Sequence, residues 1–316
     1  MKTVGKSERI TQNRIIDLFQ TDLGYTYLGD WQEEVRILPV EEHLLFNFLV
    51  QKQVYSKPLA KKAVDKFVKS VANLSEGLYE ANKKVYKLLR YGINVKEEVG
   101  QVKETVWLVD WKQPENNHFA IAEEVTVLGK HTKRPDIVIY LNGIAIAVLE
   151  LKRSRTGIEE GIRQNLDNQK PDFIQKFFTP IQLVLAGNDT QGIRYGTIET
   201  SEKYYLKWKE ESSRDFDYII DKQLCQLWEK KRLLELIHDF VVFDKGTKKL
   251  SRPNQYFAVK AAQENIAKRA NGILWHTQGS GKSLTMVWLS KWIREHVKDS
   301  RILIVTDREE LDNQIE

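Results

Sequence analysis

Apolar positions along this chain fall into two registers. Between residues 137 and 149 they form two runs, Ile137-Val138-Ile139-Tyr140-Leu141 and Ile144-Ala145-Ile146-Ala147-Val148-Leu149, on either side of Asn142-Gly143. Such runs around an Asn-Gly pair predict a β-hairpin. Elsewhere the apolar residues return every three or four positions, as on one face of a helix. Leu59, Ala63, Phe67, Val71 and Leu74 place a helical insertion at about 56–91, and Leu224, Leu227, Trp228, Leu234 and Ile237 place helix within 207–243. Leu284, Val287, Trp288 and Trp292 mark a helix after residue 283, flanked by apolar runs at 273–275 and 301–305 that predict strands. Further strands are predicted at 105–110, 124–128 and 181–186, a second hairpin at 192–200, and helices at 7–20 and 157–169. The fold class is α/β, a mixed sheet with helices.

Charge changes the picture of the first hairpin. Asp136 enters it, and Glu150 and Lys152 leave it, although the run otherwise reads as buried on both faces. Charges there need compensation, and a divalent cation is the simplest form of it. Glu150 and Lys152 are two apart and share a face. A two-residue Asn142-Gly143 turn pairs Asp136 with Leu149 and sends it to the opposite face. A three-residue turn, Leu141-Asn142-Gly143, pairs it with Val148, so that all three charges converge. A three-residue turn or an equivalent bulge is therefore expected. Asp136 and Glu150 would then hold Mg²⁺, a cation that prefers oxygen ligands, and Lys152 would face the transition state of phosphodiester hydrolysis. The bland alternative is a hairpin with solvated charges at its ends. The pattern Pro135-Asp136 … Glu150-Leu151-Lys152 resembles the PD-(D/E)xK nuclease superfamily.

Residues 276–283 carry a second chemistry: His276-Thr277-Gln278-Gly279-Ser280-Gly281-Lys282-Ser283. A strand, a Gly-rich turn and a helix are what a phosphate-binding P-loop requires. The two glycines let backbone N–H groups approach phosphate, Lys282 reaches the terminal phosphates, and Ser283 ligates Mg²⁺. The first position of the motif is His276 instead of glycine, and a Gly-Ser turn capping a helix is the plain alternative. Upstream, Ser251-Arg252-Pro253-Asn254-Gln255 resembles the adenine-reading motif of superfamily 2 helicases, with Gln255 offering one donor and one acceptor. Thr306-Asp307-Arg308 resembles the first DNA-contacting motif of such motors.

Together these segments resemble the N-terminal part of the restriction (motor-nuclease) subunit of type I restriction-modification enzymes. Leu108-Val109-Asp110-Trp111, Asn117-His118-Phe119, Leu183-Val184-Leu185 and Gly196-Thr197-Ile198 contribute to the likeness. The resemblance implies an endonuclease that cuts double-stranded DNA after an ATP-driven motor translocates it, with Mg²⁺ and ATP as cofactors. It also implies modification (methyltransferase) and specificity subunits as partners. It adds two residues to the site. One is a glutamine on the helix after the lysine, here Gln164, with Asn168 where the family has tyrosine. The other is a glutamate of the opening helix, here Glu8, which reads equally as an exposed helix residue.

Bulk properties narrow this less. The chain has 316 residues, a net charge of +5 and one cysteine, Cys225, which excludes a disulfide scaffold and fits a reducing cytoplasm. No long apolar segment predicts a membrane span. Nine basic residues oppose three acidic ones between Lys57 and Arg90, a face suited to tracking phosphates or simply to solvation. The expected domains are an endonuclease domain at 1–210, a helical connector at 211–245 and an incomplete RecA-like P-loop domain at 246–316. No acidic Walker B segment follows, so ATP turnover by the chain alone is not expected. Three other readings remain at this point: another helicase–nuclease fusion of phage defence or DNA repair, a catalytically silent DNA-binding module, and a plain nucleotide-binding protein.

Overall fold

The computed structural model describes residues 8–98, 100 and 102–305. The chain opens with helix α1 (Glu8–Thr21) and strand β1 (Thr26–Asp30), followed by α2 (Glu42–Asn47), α3 (Lys57–Ala72) and α4 (Gly77–Tyr91). Strands β2 (Ile93–Val95), β3 (Glu104–Val106), β4 (Phe119–Glu123), β5 (Ile137–Leu141) and β6 (Ile144–Leu151) come next. Then follow α5 (Ile158–Asn168), β7 (Leu183–Asn188), β8 (Gly192–Gly196), α6 (Ile219–Leu227) and α7 (Lys230–Asp239). The described part ends with β9 (Val241–Asp244), β10 (Thr247–Leu250), α8 (Pro253–Ala267) and α9 (Lys282–His296). Two compact units divide the chain: Met1–Leu234 with Val242–Lys249, and Glu235–Val241 with Leu250–Glu316.

The first unit is built on a mixed six-stranded sheet of order β1-β4-β5-β6-β7-β8. The β1–β4 and β6–β7 pairs are parallel, and the others are antiparallel. Strands β4 to β7 are buried along their whole length, because helices cover both faces. On one face Ala122, Val138, Val148 and Ala186 pack with Ile158 and Ile162 of α5 and with Phe177 and Phe178. The other face carries Phe119, in ring contact with Tyr25, which in turn meets Phe19 of α1. The insertion at 56–91 is the helix pair α3 and α4. Its apolar residues Leu59, Ala63, Phe67 and Val71 are buried and its lysines line the solvated side, but Arg90 is buried over the Tyr91 ring.

Several expectations about elements are corrected. Residues 124–128 are not a strand. The ladder ends at Glu123 because Glu124 takes a left-handed φ of 50°, and Val127 keeps only single bridges to Arg36 and Lys133. The strand expected at 105–110 is the short β3, paired with β2 in a separate small sheet. At 192–200 only β8 forms; Thr200 Oγ1 accepts the Thr197 N–H in the turn beyond it. Residues 207–218 are not helical. In the second unit, 273–275 and 301–305 form no strand, and Ile273, Trp275, Leu303 and Val305 are largely exposed. Neither segment has a neighbouring strand among the described residues, and an unpaired strand leaves its backbone groups without ladder partners.

Candidate active site

The β5–β6 hairpin turns on two residues, not three. Leu141 pairs with Ile144, and Asn142 and Gly143 take φ of 52° and 82°, the left-handed pair that a type I′ turn needs. Glycine is further required at 143 because a Cβ there would lie 2.7 Å from the Glu41 carbonyl oxygen. Asn142 is fully buried. It accepts the His118 N–H and donates to the Leu108 carbonyl and to Asn117 Oδ1, so the turn is latched into the core.

The register then slips by one residue. Tyr140 pairs with Ala145 and Ile139 with Ala147, leaving Ile146 as a bulge. Beyond the bulge Ile137 pairs with Leu149, so the next position on each strand sets Asp136 directly against Glu150. Of the two expected alternatives the three-residue turn is thus absent and the bulge is present, reaching the same parity by shifting the register the other way. Asp136, Glu150 and Lys152 lie on the face covered by α5. That helix comes close because Gly161 has no side chain: a Cβ there would sit 3.0 Å from Ala186 Cβ, 3.4 Å from Lys152 Cγ and 3.6 Å from Glu150 Cβ.

The polar contacts within this group are few. Asp136 Oδ2 accepts the Leu151 N–H at 2.6 Å. Glu150 is fully buried; one oxygen accepts from Gln164 Nε2 at 2.7 Å, and Oε1 accepts no hydrogen bond. Lys152 Nζ lies 3.9 Å from Glu8 Oε1. Burial pushes the Asp136 carboxyl up to about 6, against the pull of the Leu151 N–H and the Lys152 charge. Burial, and then the Asp136 charge, push Glu150 well above the usual carboxylate range. Two buried acids facing each other, one with an orphaned oxygen, form an oxygen donor set that fits a hard divalent cation. The structure therefore brings Asp136, Glu150, Lys152 and Gln164 together and sets Glu8 beside Lys152. Asn168 is buried at the end of α5, with neither amide atom partnered.

Two neighbours were not read from the sequence. One is Gly161, whose role shows only once α5 is laid on the sheet. The other is an acidic cluster at the end of β4. The buried Glu123 pairs with Arg9 at 2.8 Å and accepts from Gln12 at 2.7 Å and from the Tyr27 hydroxyl at 2.5 Å. Gln12 also donates to Glu124 at 3.1 Å. These contacts fix the start of α1, and with it Glu8. A helix at 7–20 is expected from the sequence, but not that polar residues at its start meet the end of β4.

In the second unit the Gly-rich turn opens α9, with Gly279 and Gly281 at φ of 75° and 86°. Thr277 accepts the Ser280 N–H, Ser280 Oγ is buried with no partner, and Lys282 Nζ donates to the His276 and Thr277 carbonyls at 3.3 and 3.1 Å. Gln278 is the first central residue of this turn, and Ser283 is the second residue of α9. Gln255 is buried: its oxygen accepts the Arg252 N–H at 2.8 Å, and its nitrogen donates to the Gly281 carbonyl at 2.9 Å. It therefore ties the start of α8 to the loop, and a Cβ at Gly281 would meet it at 2.2 Å. Thr306, Asp307 and Arg308 fall outside the described residues.

Comparison with known proteins agrees with both regions. Residues 5–203 match the family model for the type I restriction enzyme R protein N terminus, and residues 254–316 match a SWI2/SNF2 ATPase model. The chain is 30% identical over 285 residues to the type I restriction enzyme HindI endonuclease subunit of Haemophilus influenzae, which covers 81% of this chain and 27% of that one. It is 31% identical over 238 residues to the putative MjaVIIIP endonuclease subunit of Methanocaldococcus jannaschii, covering 68% and 22%. The chain thus spans about a quarter of the length of these relatives. No helix among the described residues is long and apolar enough to cross a membrane. With its first two-thirds matched by that model and a SNF2-like ATPase fragment after it, the chain belongs to the type I restriction enzyme R protein family.

Proposed function

We propose that this chain carries the DNA-cleaving site, and the opening part of the ATP-driven motor, of a cytoplasmic type I restriction subunit. It would act on double-stranded DNA in company with modification and specificity subunits. One observation carries the reading: Asp136 faces Glu150 across the hairpin, with Lys152 on the same face and Gln164 bonded to Glu150. Asp136 and Glu150 would hold Mg²⁺, which supplies a water of lowered pKa and positive charge for the phosphate. Gln164 fixes the rotamer of Glu150 so that its free oxygen stays available. The Leu151 N–H does the same for Asp136 and leaves its other oxygen open. Lys152, with Glu8 beside it, presents its ammonium to the charge that builds on the phosphate in the transition state.

In the second unit Thr277, Gln278, Gly279, Ser280, Gly281, Lys282 and Ser283 would cradle the triphosphate of ATP, with Lys282 turning from loop carbonyls to phosphate oxygens. Gln255 would serve the adenine while holding the loop. The purified 316-residue chain is expected to bind Mn²⁺ by calorimetry and to nick duplex DNA in Mg²⁺. Asp136→Ala is expected to abolish both. Lys152→Ala should keep the metal and lose nicking by at least about a hundredfold, the usual scale for removing one transition-state charge contact. Metal binding that survives Asp136→Ala would refute the assignment.

A further inference from the structure

The site's catalytic-type lysine is followed by Arg153-Ser154-Arg155-Thr156-Gly157, which leads into α5. Arg153 and Arg155 are exposed, and neither side chain has an ion pair, hydrogen bond or ring contact among the described residues. Every other arginine described in the first unit has one. Arg9, Arg14, Arg36, Arg163, Arg214 and Arg232 pair with carboxylates. Arg90 covers a tyrosine ring, Arg134 meets a hydroxyl, and Arg194 meets backbone carbonyls. The two exceptions flank Ser154, one and three residues past Lys152. They stay unpaired even though Glu159 and Glu160 lie exposed in the first turn of α5.

The backbone beneath them is held from several sides. Lys152 N–H donates to Gly187, and Thr156 N–H closes a turn onto the Arg153 carbonyl at 2.8 Å. Thr190 Oγ1 donates to the Ser154 carbonyl, and Asn188 Nδ2 donates to the Thr156 carbonyl at 2.9 Å. Gln191 Oε1 accepts both Asn188 Nδ2 and the Ile158 N–H. The turn between β7 and β8 thus spends Asn188, Thr190 and Gln191 on ordering a loop whose outward groups are two unpartnered guanidiniums. Guanidinium matches phosphate with paired N–H donors, and prior ordering lowers the entropic penalty of binding. Glu8, next to Lys152, disfavours a polyanion at the mouth of the site, and positive charge on the adjoining loop offsets it.

We infer that Arg153 and Arg155 are the phosphate grip of this site, holding the backbone of the DNA strand next to the scissile bond without reading bases. The inference rests on the nuclease reading above. Binding of a short DNA duplex to the full chain, with Ca²⁺ replacing Mg²⁺, is measured by fluorescence anisotropy over a range of salt. Each neutralised phosphate contributes about one unit to the slope of log affinity against log salt. Arg153→Ala with Arg155→Ala is therefore expected to lower that slope by about 2, equally for unrelated sequences. The paired Arg→Lys variant should keep the slope. An unchanged slope, a loss that depends on sequence, or a parent that binds no duplex overturns the inference. Retained nicking in Asp136→Ala would instead overturn the nuclease reading, leaving the slope to decide the grip by itself.

Discussion

Asp136 and Glu150 are acids that the fold holds at a loss. Burial raises Asp136 from an ordinary value of 3.8 to about 6, and burial together with the Asp136 charge holds Glu150 well above the usual carboxylate range. The sign of the consequence follows from proton counting: between about 4 and 6 the native state binds more protons than the unfolded chain, so metal-free stability falls as pH rises through that window. Two pKa units for Asp136 correspond to roughly 3 kcal/mol as an upper bound. A divalent cation would remove the penalty by replacing the protons, so its binding should release protons near pH 6. Asp136→Asn deletes the charge but keeps the shape. Its metal-free melting temperature at pH 7 is expected to equal or exceed the parent's, while Mn²⁺ binding is lost. A variant less stable than the parent at pH 7 would mean that Asp136 stabilises the fold and is not held there for a cation. The charges themselves were readable from the sequence, because acids at the ends of β-branched runs break the pattern of a buried hairpin. Their convergence implied an odd-length turn or a bulge, but not which of the two, since a one-residue bulge inside an uninterrupted apolar run leaves no mark on the sequence.

Among the elements, α5 matters most to the site, and Gly161 sets how closely it lies on β6 and β7. Gly161→Val places a branched side chain where even a Cβ meets Ala186 at 3.0 Å and Lys152 at 3.4 Å. Such overpacking costs about 1–3 kcal/mol, and relief by lifting the helix would part Gln164 from Glu150. The variant is expected to lose nicking while its salt-dependent DNA affinity stays within about threefold, because Arg153 and Arg155 are tied to the β7–β8 turn instead. Equal loss of both would show that the loop moves with the helix. The amphipathic stripes of α3, α6 and α7 follow from their 3.6-residue period. The strand expected at 124–128 and those expected around the P-loop fail to form for opposite reasons. A left-handed Glu124 stops a ladder that apolar content alone would continue, and strands at 273–275 and 301–305 need lateral partners that composition cannot guarantee.

Across the whole chain, the polypeptide passes from the first unit to the second at residue 234, returns at 242 and leaves again at 249. The returning segment is most of the β9–β10 hairpin, and Lys248 fixes it there. Lys248 is buried and gives its ammonium hydrogens to Asn82 Oδ1, the Ile181 carbonyl and Gln182 Oε1 at 2.9, 3.3 and 2.6 Å, with the Tyr86 and Phe243 rings 5.7 and 5.4 Å away. Asn82 meanwhile donates to the Phe178, Thr179 and Ile181 carbonyls. One lysine thereby joins the hairpin, α4 and the segment entering β7. Lys248→Met fills the same space but orphans two buried amide oxygens, so the first unit should lose about 1–3 kcal/mol by urea denaturation. Burial lowers the ionisation of Lys248 well below the usual lysine range. The unfolded chain therefore holds the extra proton at alkaline pH, and the parent should gain stability relative to Lys248→Met as pH rises toward 10.5, its ordinary value. A gap that stays flat from neutral to alkaline pH would mean that the three acceptors and two rings compensate the ammonium fully. A variant as stable as the parent would mean that the hairpin is held in the first unit by its apolar contacts alone.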